Sequence, residues 1–291
     1  MMTITVSTDQ AGMRLDMFVI DQMPELSRSF VTTLIKQGRV LLEGESTKTG
    51  EKVKLGQTVT VDYDVQTMQE IPEIDLPVLY EDDDCIVINK PVGVLTHSKG
   101  AYNPEATVAT FIADKITDEN LSGDRAGIVH RLDRPTSGVI IAAKHAEALS
   151  WLQKQFSDRK VKKTYVALTG GHLNPEEAVI DMPIERNPKE PKAFRAGLGG
   201  RPAVTHYKVT HRLNKHDFVE LYPETGRTHQ LRVHLSQVGH PIVGDTLYKG
   251  ETSERMYLHA RVLEITLPNR ERKVFTAETP IEFAKYLEEN S

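Results

Sequence analysis

Apolar residues recur at helical spacing in two short segments near the N-terminus. Residues 14–22 place their apolar side chains on one face, which predicts a short amphipathic helix. A second helix is predicted over residues 27–37, because Ser27 is a good N-cap and Gly38 follows as a stop signal. Two strand-like stretches, RVLLEG and QTVTVDY, come next. The pattern predicts a compact module of two helices and a small curled sheet at residues 1–64.

A change of composition separates this module from the rest of the chain. Residues 65–77 contain two prolines, no lysine or arginine, and weak periodicity, which is typical of a linker. Beyond them, residues 78–291 show strand-like and helix-like segments in no repeating order. SGVIIAAK is short and β-branched, which predicts a buried strand, whereas HAEALSWLQKQFSD has the apolar spacing of a helix. We predict an α+β domain on a mixed, largely antiparallel central sheet.

Length and cysteine usage narrow the class of protein. The chain has 291 residues, of which 39% are hydrophobic and 26% charged, and this composition fits a globular protein. No apolar stretch approaches the roughly 20 residues that span a bilayer, and the N-terminus lacks the apolar core of a signal peptide. Cys85 is the single cysteine, which excludes an internal disulfide. We therefore expect a cytoplasmic protein without a membrane segment.

Positive charge is concentrated in two segments, although the net charge of the chain is −5. Residues 125–163 carry nine Lys/Arg against three Asp/Glu, and residues 186–232 carry ten against four. If both segments face the same way, they form a basic groove, the pattern expected for contacts with phosphates. Scattered surface charge is the alternative interpretation.

Common metal and nucleotide motifs are absent from the sequence. Eleven histidines are present, but no HExxH motif or cysteine pair accompanies them. His229 and His234 are five positions apart, so they do not stack on one helix face. The sequence also has no GxxxxGK[ST] loop and no GxGxxG after a strand. We predict neither a metal nor a nucleotide cofactor.

The segment HRLDRPTSGVIIAAK at residues 130–144 places Asp133 between Arg131 and Arg134. A carboxylate between two guanidiniums stays ionised, so it suits a nucleophile or an electrostatic stabiliser better than a general acid. A structural Asp–Arg pair is the alternative, and the tripeptide alone favours it, because RLD also occurs at residues 14–16. The wider sequence context has to separate the two interpretations.

The N-terminal module resembles the α-L RNA-binding module, which is known from a small-subunit ribosomal protein and from many RNA-modifying enzymes. The matching segments are RLD at residues 14–16, SR at 27–28, IKQGRV at 35–40 and KLG at 54–56. The resemblance implies that Arg28, Lys36 and Arg39 contact RNA. A small protein-docking domain is the alternative.

Residues 78–268 resemble the RluA-type pseudouridine synthases. Six segments match in the family's order: INKPVGVLTH, HRLDRPTSGVIIAAK, KKTYVALTGG, GRPAVTHYKV, ETGRTHQLRVHLSQVGHPIVGDTLYKG and LHARVLEI. Six ordered matches are far more specific than any single motif. The resemblance implies a pseudouridine synthase fold and an enzyme that isomerises uridine in RNA without a metal or a cofactor.

The resemblance also implies roles for individual residues. Asp133 corresponds to the catalytic aspartate, Tyr165 to the tyrosine that packs on the target base, and Arg227 to the arginine that pairs with the aspartate. Leu258 corresponds to an apolar residue near the base. Other residues of the matched motifs are expected to bind RNA or to hold the loops: Lys90, His97, Arg131, Arg134, His229, Arg232 and His234.

The substrate expected from the resemblance is large-subunit ribosomal RNA, with transfer RNA as the alternative. Two other functions remain open. One is an RNA-binding ribosome-assembly factor without turnover, against which the intact Asp133, Tyr165 and Arg227 argue. The other is an RNA-directed glycosidase, which would release free uracil. We expect a monomer.

Overall fold

The computed structural model describes residues 1–63, 71–98, 105–119, 121–123 and 125–290. The chain folds into two compact units. The first consists mainly of residues 1–74 and takes in described residues of 97–110 and 123–125, and the second contains the remainder. Residues 65–70 of the predicted linker lie outside the described residues, so the domain boundaries at 64 and 78 stay a prediction.

The first unit contains the two predicted helices and a small sheet. Its elements are β1 (Met2–Thr5), α1 (Leu15–Gln22), α2 (Arg28–Lys36), β2 (Val40–Leu42), β3 (Glu45–Ser46) and β4 (Thr58–Val61). The hydroxyl of Ser27 accepts a 3.2 Å hydrogen bond from the backbone N–H of Phe30, so Ser27 is the N-cap of α2. The strands pair antiparallel in the order β1-β4-β2-β3. Both helices contribute buried apolar side chains to one core with this sheet.

The remainder of the chain is built on one large sheet. Its elements are β5 (Val78–Glu81), β6 (Cys85–Lys90), α3 (Val108–Ala113), β7 (Ser137–Ala143), α4 (Ala146–Ser157), β8 (Lys162–Gly170), β9 (Glu177–Asp181), β10 (Ile184–Arg186), β11 (Phe194–Ala196), β12 (Val204–Arg212), β13 (His216–Pro223), α5 (Gln230–Gln237), β14 (Leu258–Thr266), β15 (Arg272–Thr276) and α6 (Ile281–Asn290).

The large sheet has nine strands in the order β5-β6-β7-β14-β8-β13-β12-β9, with β15 paired to β14. Strands β10 and β11 form a separate antiparallel hairpin. Among the described strands, β7 and β14 are the one parallel pair. The predicted α+β fold with a mixed, largely antiparallel sheet is therefore confirmed.

Strand β7 lies inside the large sheet and is buried along its whole length. Ala148 and Leu152 of α4 belong to the same apolar cluster as Val139 and Ile141 of β7. A strand that is buried on both faces shows an unbroken apolar run instead of an alternating one. This explains why SGVIIAAK forms a strand, as the sequence predicts.

Helices α5 and α6 pack on residues of opposite parity in β8 and β13. Leu235 of α5 shares a cluster with Ala167 of β8 and Val219 of β13, whereas Phe283 of α6 shares another with Leu168 of β8. Successive side chains of a strand point to opposite faces, so the two helices cover opposite faces of the sheet. None of the described helices combines the length and the apolar character needed to cross a bilayer.

Gly138 allows the close approach of β7 and β14, where Ser137 pairs with His259 and Gly138 with Ala260. Its φ angle is +116°, and a Cβ atom at this position would lie 2.2 Å from the carbonyl oxygen of Ala260. A larger residue therefore cannot fit unless the two strands separate. Because β7 directly follows the loop that carries Asp133, the contact also restrains that loop.

We predict that Gly138→Ala lowers the free energy of unfolding by about 3 kcal/mol or more, because a steric clash is added to an unfavourable φ. Gly239→Ala is the matched control, since Gly239 has φ +90° and no atom within 4 Å of its Cβ position. The control should lose about 1–2 kcal/mol from backbone strain alone. Urea unfolding followed by circular dichroism measures both losses. Equal losses would show that the contact with β14 is not restrictive.

Candidate active site

The loop that enters β7 forms one wall of a cavity. The backbone N–H of Thr136 donates to the carbonyl oxygen of Asp133 at 3.0 Å, which closes a turn. The Nε2 atom of His130 accepts a 3.1 Å hydrogen bond from the backbone N–H of Ile141. Burial lowers the pKa of His130 to about 3, so its imidazole is a neutral anchor for the loop. The start of the HRLD motif is thus attached to the strand that follows it.

The cavity has a volume of about 470 Å³, within the range of small-molecule binding sites. Its walls come from the loop before β7, from the C-terminal end of α4, from β8, from the loop after β13, from α5 and from the start of β14. Seven of the residues predicted from the sequence line it, namely Arg131, Asp133, Tyr165, Arg227, His229, Arg232 and Leu258. Motifs that are far apart in the chain therefore meet at one site.

The carboxylate of Asp133 is held by Arg232. Nη1 of Arg232 lies 3.2 Å from Oδ2 of Asp133, while Nε and Nη2 donate to the two oxygens of Asp245 at 2.7 and 2.8 Å. Burial opposes the charged guanidinium, but the hydrogen bonds and charges of the two carboxylates outweigh it and raise the pKa of Arg232. The bidentate bond to Asp245 fixes the guanidinium plane, and Nη1 is thereby directed at Asp133.

The prediction that Arg227 pairs with Asp133 is wrong. Arg227 lies in the loop before α5, and its Nε donates to the carbonyl oxygen of Pro202 at 3.0 Å. Arg232 lies inside α5, where it is buried with its neighbours in the helix. A charged residue among buried helical positions needs a carboxylate partner. Which positions of α5 are buried is seen only in the folded structure, so the sequence alone did not distinguish Arg232 from Arg227.

His229 is a second group beside Asp133, with Nε2 at 3.7 Å from Oδ2. Its Nδ1 lies 2.7 Å from the hydroxyl of Tyr248, and that oxygen accepts a 2.8 Å hydrogen bond from the backbone N–H of Phe194. The Tyr248 hydroxyl can then donate to Nδ1, which leaves the proton of a neutral imidazole on Nε2, facing Asp133. Burial lowers the pKa of His229, against the opposing charge of Asp133, and so favours this neutral form.

Asp245 and Tyr248 are functional neighbours that the sequence reasoning did not identify. Both belong to a turn after α5, in which residues 246–248 form one turn of 3-10 helix. The guanidinium of Arg232 lies 4.9 Å from the ring centre of Tyr248, so this turn supports Arg232 by an ion pair and by a cation–π contact. Their role depends on the position of the turn beneath α5, which short-range patterns do not encode.

The side of the cavity formed by β8 carries Lys163 and Tyr165, which point to the same face of that strand. Burial and the charge of Asp133 raise the pKa of Tyr165, so its phenol stays protonated. Burial lowers the pKa of Lys163 to about 8, and its Nζ donates to the carbonyl oxygen of Thr225 at 3.2 Å. Leu258 adds an apolar surface. The cavity thus offers a flat and partly apolar surface next to a paired carboxylate.

Lys90 holds loops together instead of facing a groove. It is fully buried, and its Nζ donates to the carbonyl oxygens of Pro91 at 2.9 Å and Val94 at 2.8 Å. A longer contact of 3.4 Å reaches the carbonyl oxygen of Arg134, one residue past Asp133. Burial lowers the pKa of Lys90 to about 7. Of the two roles expected for Lys90, binding RNA or holding the loops, these contacts support the second.

His234 is also a structural residue. It is fully buried, with Nδ1 at 3.0 Å from the hydroxyl of Thr205 and Nε2 at 2.9 Å from the carbonyl oxygen of Met182. These contacts support the second of its two expected roles, which is to hold the fold and not to bind RNA. His97 is buried in the first unit, while Arg134 is exposed and does not line the cavity.

Within the described ranges, no group of three His, Cys, Asp or Glu side chains could hold a metal ion.

The three basic residues that were predicted to bind RNA in the first unit are exposed. Nε of Arg28 lies 2.9 Å from Oδ2 of the buried Asp16, so this guanidinium is partly engaged in the fold. Nε of Arg39 lies 3.8 Å from Asp62 in an exposed and therefore weak pair. Lys36 and Arg39 thus present charge that phosphates can bind.

A paired carboxylate in a cavity and a separate unit with exposed basic residues are the features expected of an enzyme that acts on RNA. The family model described as RNA pseudouridylate synthase matches residues 84–237, and the S4 domain model matches residues 13–59. The chain belongs to the RNA pseudouridylate synthase family, and it is an isomerase with an S4 RNA-binding domain.

Curated relatives are similar over most of the chain. Ribosomal large subunit pseudouridine synthase D of Xanthomonas campestris pv. campestris is 39% identical, and the match covers 90% of this chain and 84% of the relative. The protein of the same name from Escherichia coli K12 is 37% identical, with 86% and 76% covered. These matches confirm the family that the sequence motifs predicted.

Solved structures agree with this assignment. Human RNA pseudouridylate synthase domain containing 1 is 32% identical, with a TM-score of 0.58, and the match covers 72% of this chain and 86% of that one. Human RNA pseudouridylate synthase domain containing 4 is 28% identical, also with a TM-score of 0.58, and 73% and 92% are covered. The predicted pseudouridine synthase fold is confirmed.

We predict that Arg232→Lys lowers kcat by about 100-fold or more, because an ammonium group cannot bond Asp245 bidentately and also reach Asp133. Arg227→Lys is the matched control and should lower kcat/KM by less than about tenfold, since it keeps the positive charge and removes only the peripheral hydrogen bond to the carbonyl oxygen of Pro202. Tritium release from RNA that contains 5-tritiated uridine measures both rates under single-turnover conditions. A larger loss of kcat in Arg227→Lys would contradict the pairing of Arg232 with Asp133.

Proposed function

We propose that Asp133 is the catalytic carboxylate for the isomerisation of uridine in RNA. The proposal depends on the position and the contacts of the Asp133 side chain. The carboxylate of Asp133 is 17% exposed, lines the cavity together with Tyr165, and is bound by Arg232 at 3.2 Å. Arg232 thus takes the orienting role, and Arg227 serves RNA binding at the rim.

The chemistry needs one fixed negative charge. The bond between C1′ of the ribose and N1 of uracil breaks, and a bond between C1′ and C5 forms. C5 loses a proton and N1 gains one, so the atoms balance within one nucleotide. Positive charge builds on the sugar as the first bond breaks, and the ionised Asp133 stabilises it. Attack of Asp133 on C1′ and elimination to a glycal both require this carboxylate to be ionised and aimed, which Arg232 provides.

The detached uracil has to turn inside the cavity without leaving it. Tyr165 and Leu258 suit this step, because a flat ring and an apolar side chain support the base without fixing its orientation by hydrogen bonds. A target base in stacked RNA must first be flipped out, at a cost of a few kcal/mol. Stacking on Tyr165 and phosphate contacts of basic residues offset that cost.

Large-subunit ribosomal RNA is the substrate that we propose. The support is that two relatives named ribosomal large subunit pseudouridine synthase D are similar over 90% and 86% of this chain. We also propose that the enzyme acts as a monomer, because one chain supplies every wall of the cavity. A cytoplasmic location is proposed because RNA is the substrate and Cys85 is a buried free thiol, which suits a reducing compartment.

We predict that Asp133→Asn lowers kcat by more than about 1,000-fold while Kd for RNA changes by less than about threefold, because the substitution removes a charge and keeps the shape. Carbodiimide labelling and reverse-transcription stops on total RNA, from cells with and without the gene, identify the modified uridines. Rescue by wild type should restore the stops, and rescue by Asp133→Asn should not.

Asp114→Asn is the control for this experiment, since Asp114 is exposed after α3 and neither it nor its neighbours line the cavity, so it should rescue fully. Stops restored by Asp133→Asn would contradict the catalytic role. Stops that change only in transfer RNA would show that transfer RNA, and not ribosomal RNA, is the substrate. The proposed reaction would still hold.

We predict that Lys36→Gln and Arg39→Gln each weaken RNA binding and reduce the slope of log Kd against log salt by about one, because each removes one phosphate contact. The values of kcat should stay within about twofold of wild type at saturating RNA. Fluorescence anisotropy at several salt concentrations measures the slope. Lys285→Gln, on the exposed side of α6, is the control and should leave the slope unchanged. Unchanged slopes in all variants would argue for protein docking by the first unit.

A further inference from the structure

A second cavity of about 320 Å³ adjoins the loop that carries Arg227. Residues 226–228 line both cavities, so one stretch of backbone forms the partition between them. The other walls of the second cavity are the hairpin of β10 and β11 and the loop at residues 199–201. The isomerisation chemistry described above does not use this space.

The walls of the second cavity are closely packed. A Cβ on Gly200 would lie 2.5 Å from the carbonyl carbon of Ile184, and a Cβ on Gly197 would lie 2.6 Å from the carboxyl carbon of Glu185. The backbone N–H of Gly200 also donates to the carbonyl oxygen of Gly197 at 2.9 Å. Contacts this tight leave little room for the hairpin and the loop to move against each other. The cavity is therefore preformed, as ligand sites usually are.

Positive charge and flat surfaces line most of the second cavity. Its lining includes three arginines, Arg186, Arg201 and Arg227, and the aromatic ring of Phe194. The guanidinium of Arg186 lies 5.3 Å from the ring centre of Phe194, and its Nη1 donates to the carbonyl oxygen of Pro191 at 2.7 Å, which keeps it in place. Guanidinium planes and aromatic rings are surfaces on which unpaired RNA bases stack.

Glu185 is the one carboxylate in this lining. Its Oε1 accepts a hydrogen bond from Nε of Arg195 at 2.8 Å, and Nη2 of Arg195 lies 2.7 Å from the same oxygen in an ion pair. For Oε2, the described part of the chain supplies no hydrogen-bond partner, and the side chain is 26% exposed. A carboxylate oxygen that is fixed in position and unpaired can accept a hydrogen bond from a ligand.

We propose that this cavity binds the nucleotide next to the target uridine, and that Glu185 selects a base with an exocyclic amino group there. The proposal rests on the proposed reaction in the first cavity. Adjacent nucleotides of one strand can occupy both cavities, because the two cavities share residues 226–228 as lining. The amino group of adenine, cytosine or guanine donates to Oε2, whereas both exocyclic groups of uracil are acceptors and flank its single edge donor, N3–H, so that Oε2 meets their repulsion.

The charges fix the orientation of this nucleotide. A phosphate placed beside Oε2 of Glu185 would be repelled, so the base lies at Glu185 and the phosphate lies beside arginines of the lining. Arg201 and Arg227 line the same cavity and bind that phosphate. The side chain of Arg195 forms an ion pair with Glu185, which holds the carboxylate in place. Arg195 itself does not contact the RNA.

The test uses short RNAs that carry the mapped target uridine, with all four bases placed in turn at each neighbouring position. Wild type should favour an amino-bearing base over uracil at one neighbouring position by at least about fivefold in kcat/KM. Glu185→Ala should abolish this preference. Arg195→Ala is the matched control, because it breaks the same ion pair but keeps the acceptor, and it should retain the preference even if the hairpin loosens.

Equilibrium binding separates this proposal from the proposed reaction. Kd for the same RNAs, measured by fluorescence anisotropy with Asp133→Asn and with Asp133→Asn combined with Glu185→Ala, reports base selection without turnover. Replacing a favoured adenosine by purine riboside, which lacks the amino group, should weaken binding to the first protein and not to the second. Equal affinity for all neighbours, or a loss in Arg195→Ala as large as in Glu185→Ala, would overturn the proposal.

Discussion

The active site depends on one guanidinium that two carboxylates share. The side chain of Arg232 is 6% exposed and that of Asp245 is 2% exposed, so each needs the other in place of water. Removal of one partner of such a pair costs about 3–5 kcal/mol, because a charge is left buried and alone. Asp133 takes the remaining Nη1 of the same guanidinium through one hydrogen bond. Asp245 therefore holds Arg232 in position. Asp133 accepts only one hydrogen bond from this arginine, so most of its lone pairs remain available to a ligand in the cavity.

The tripeptide Arg-Leu-Asp occurs twice and serves two different purposes. In the first unit, the buried carboxylate of Asp16 is bound by Arg14 of its own tripeptide and by Arg28, both at 2.9 Å. These bonds outweigh the effect of burial and lower the pKa of Asp16, which is fully committed to the fold. Asp133 is bound instead by an arginine 99 positions away and stays open to a cavity. Tertiary neighbours, and not the three letters, distinguish the carboxylate that is paired within the fold from the one that faces a cavity.

The sequence predicts those features of the fold whose signals are local. The cap at Ser27 and the buried apolar run of β7 are read from adjacent residues, and both are present in the structure. Strand β9 was not predicted, because it lies at an edge of the sheet and Val179 on it is exposed. The choice between Arg227 and Arg232 depends on which face of α5 is buried, which no local pattern encodes. Family motifs locate the site, but the partners inside it depend on three-dimensional packing.

The loop of Asp133 is restrained from two directions, by the ammonium group of Lys90 at the carbonyl oxygen of Arg134 and by the contact of Gly138 with Ala260. A loop that is fixed by the protein loses little conformational entropy when substrate binds, so the reacting groups are oriented in advance. The rearrangement on binding then falls on the RNA, whose target base has to leave its stack. Contacts remote from the reacting atoms can supply the free energy for that distortion. The restrained cavity therefore orients the groups around the base, and the exposed cations of the separate S4 domain supply binding free energy for the distortion of the RNA.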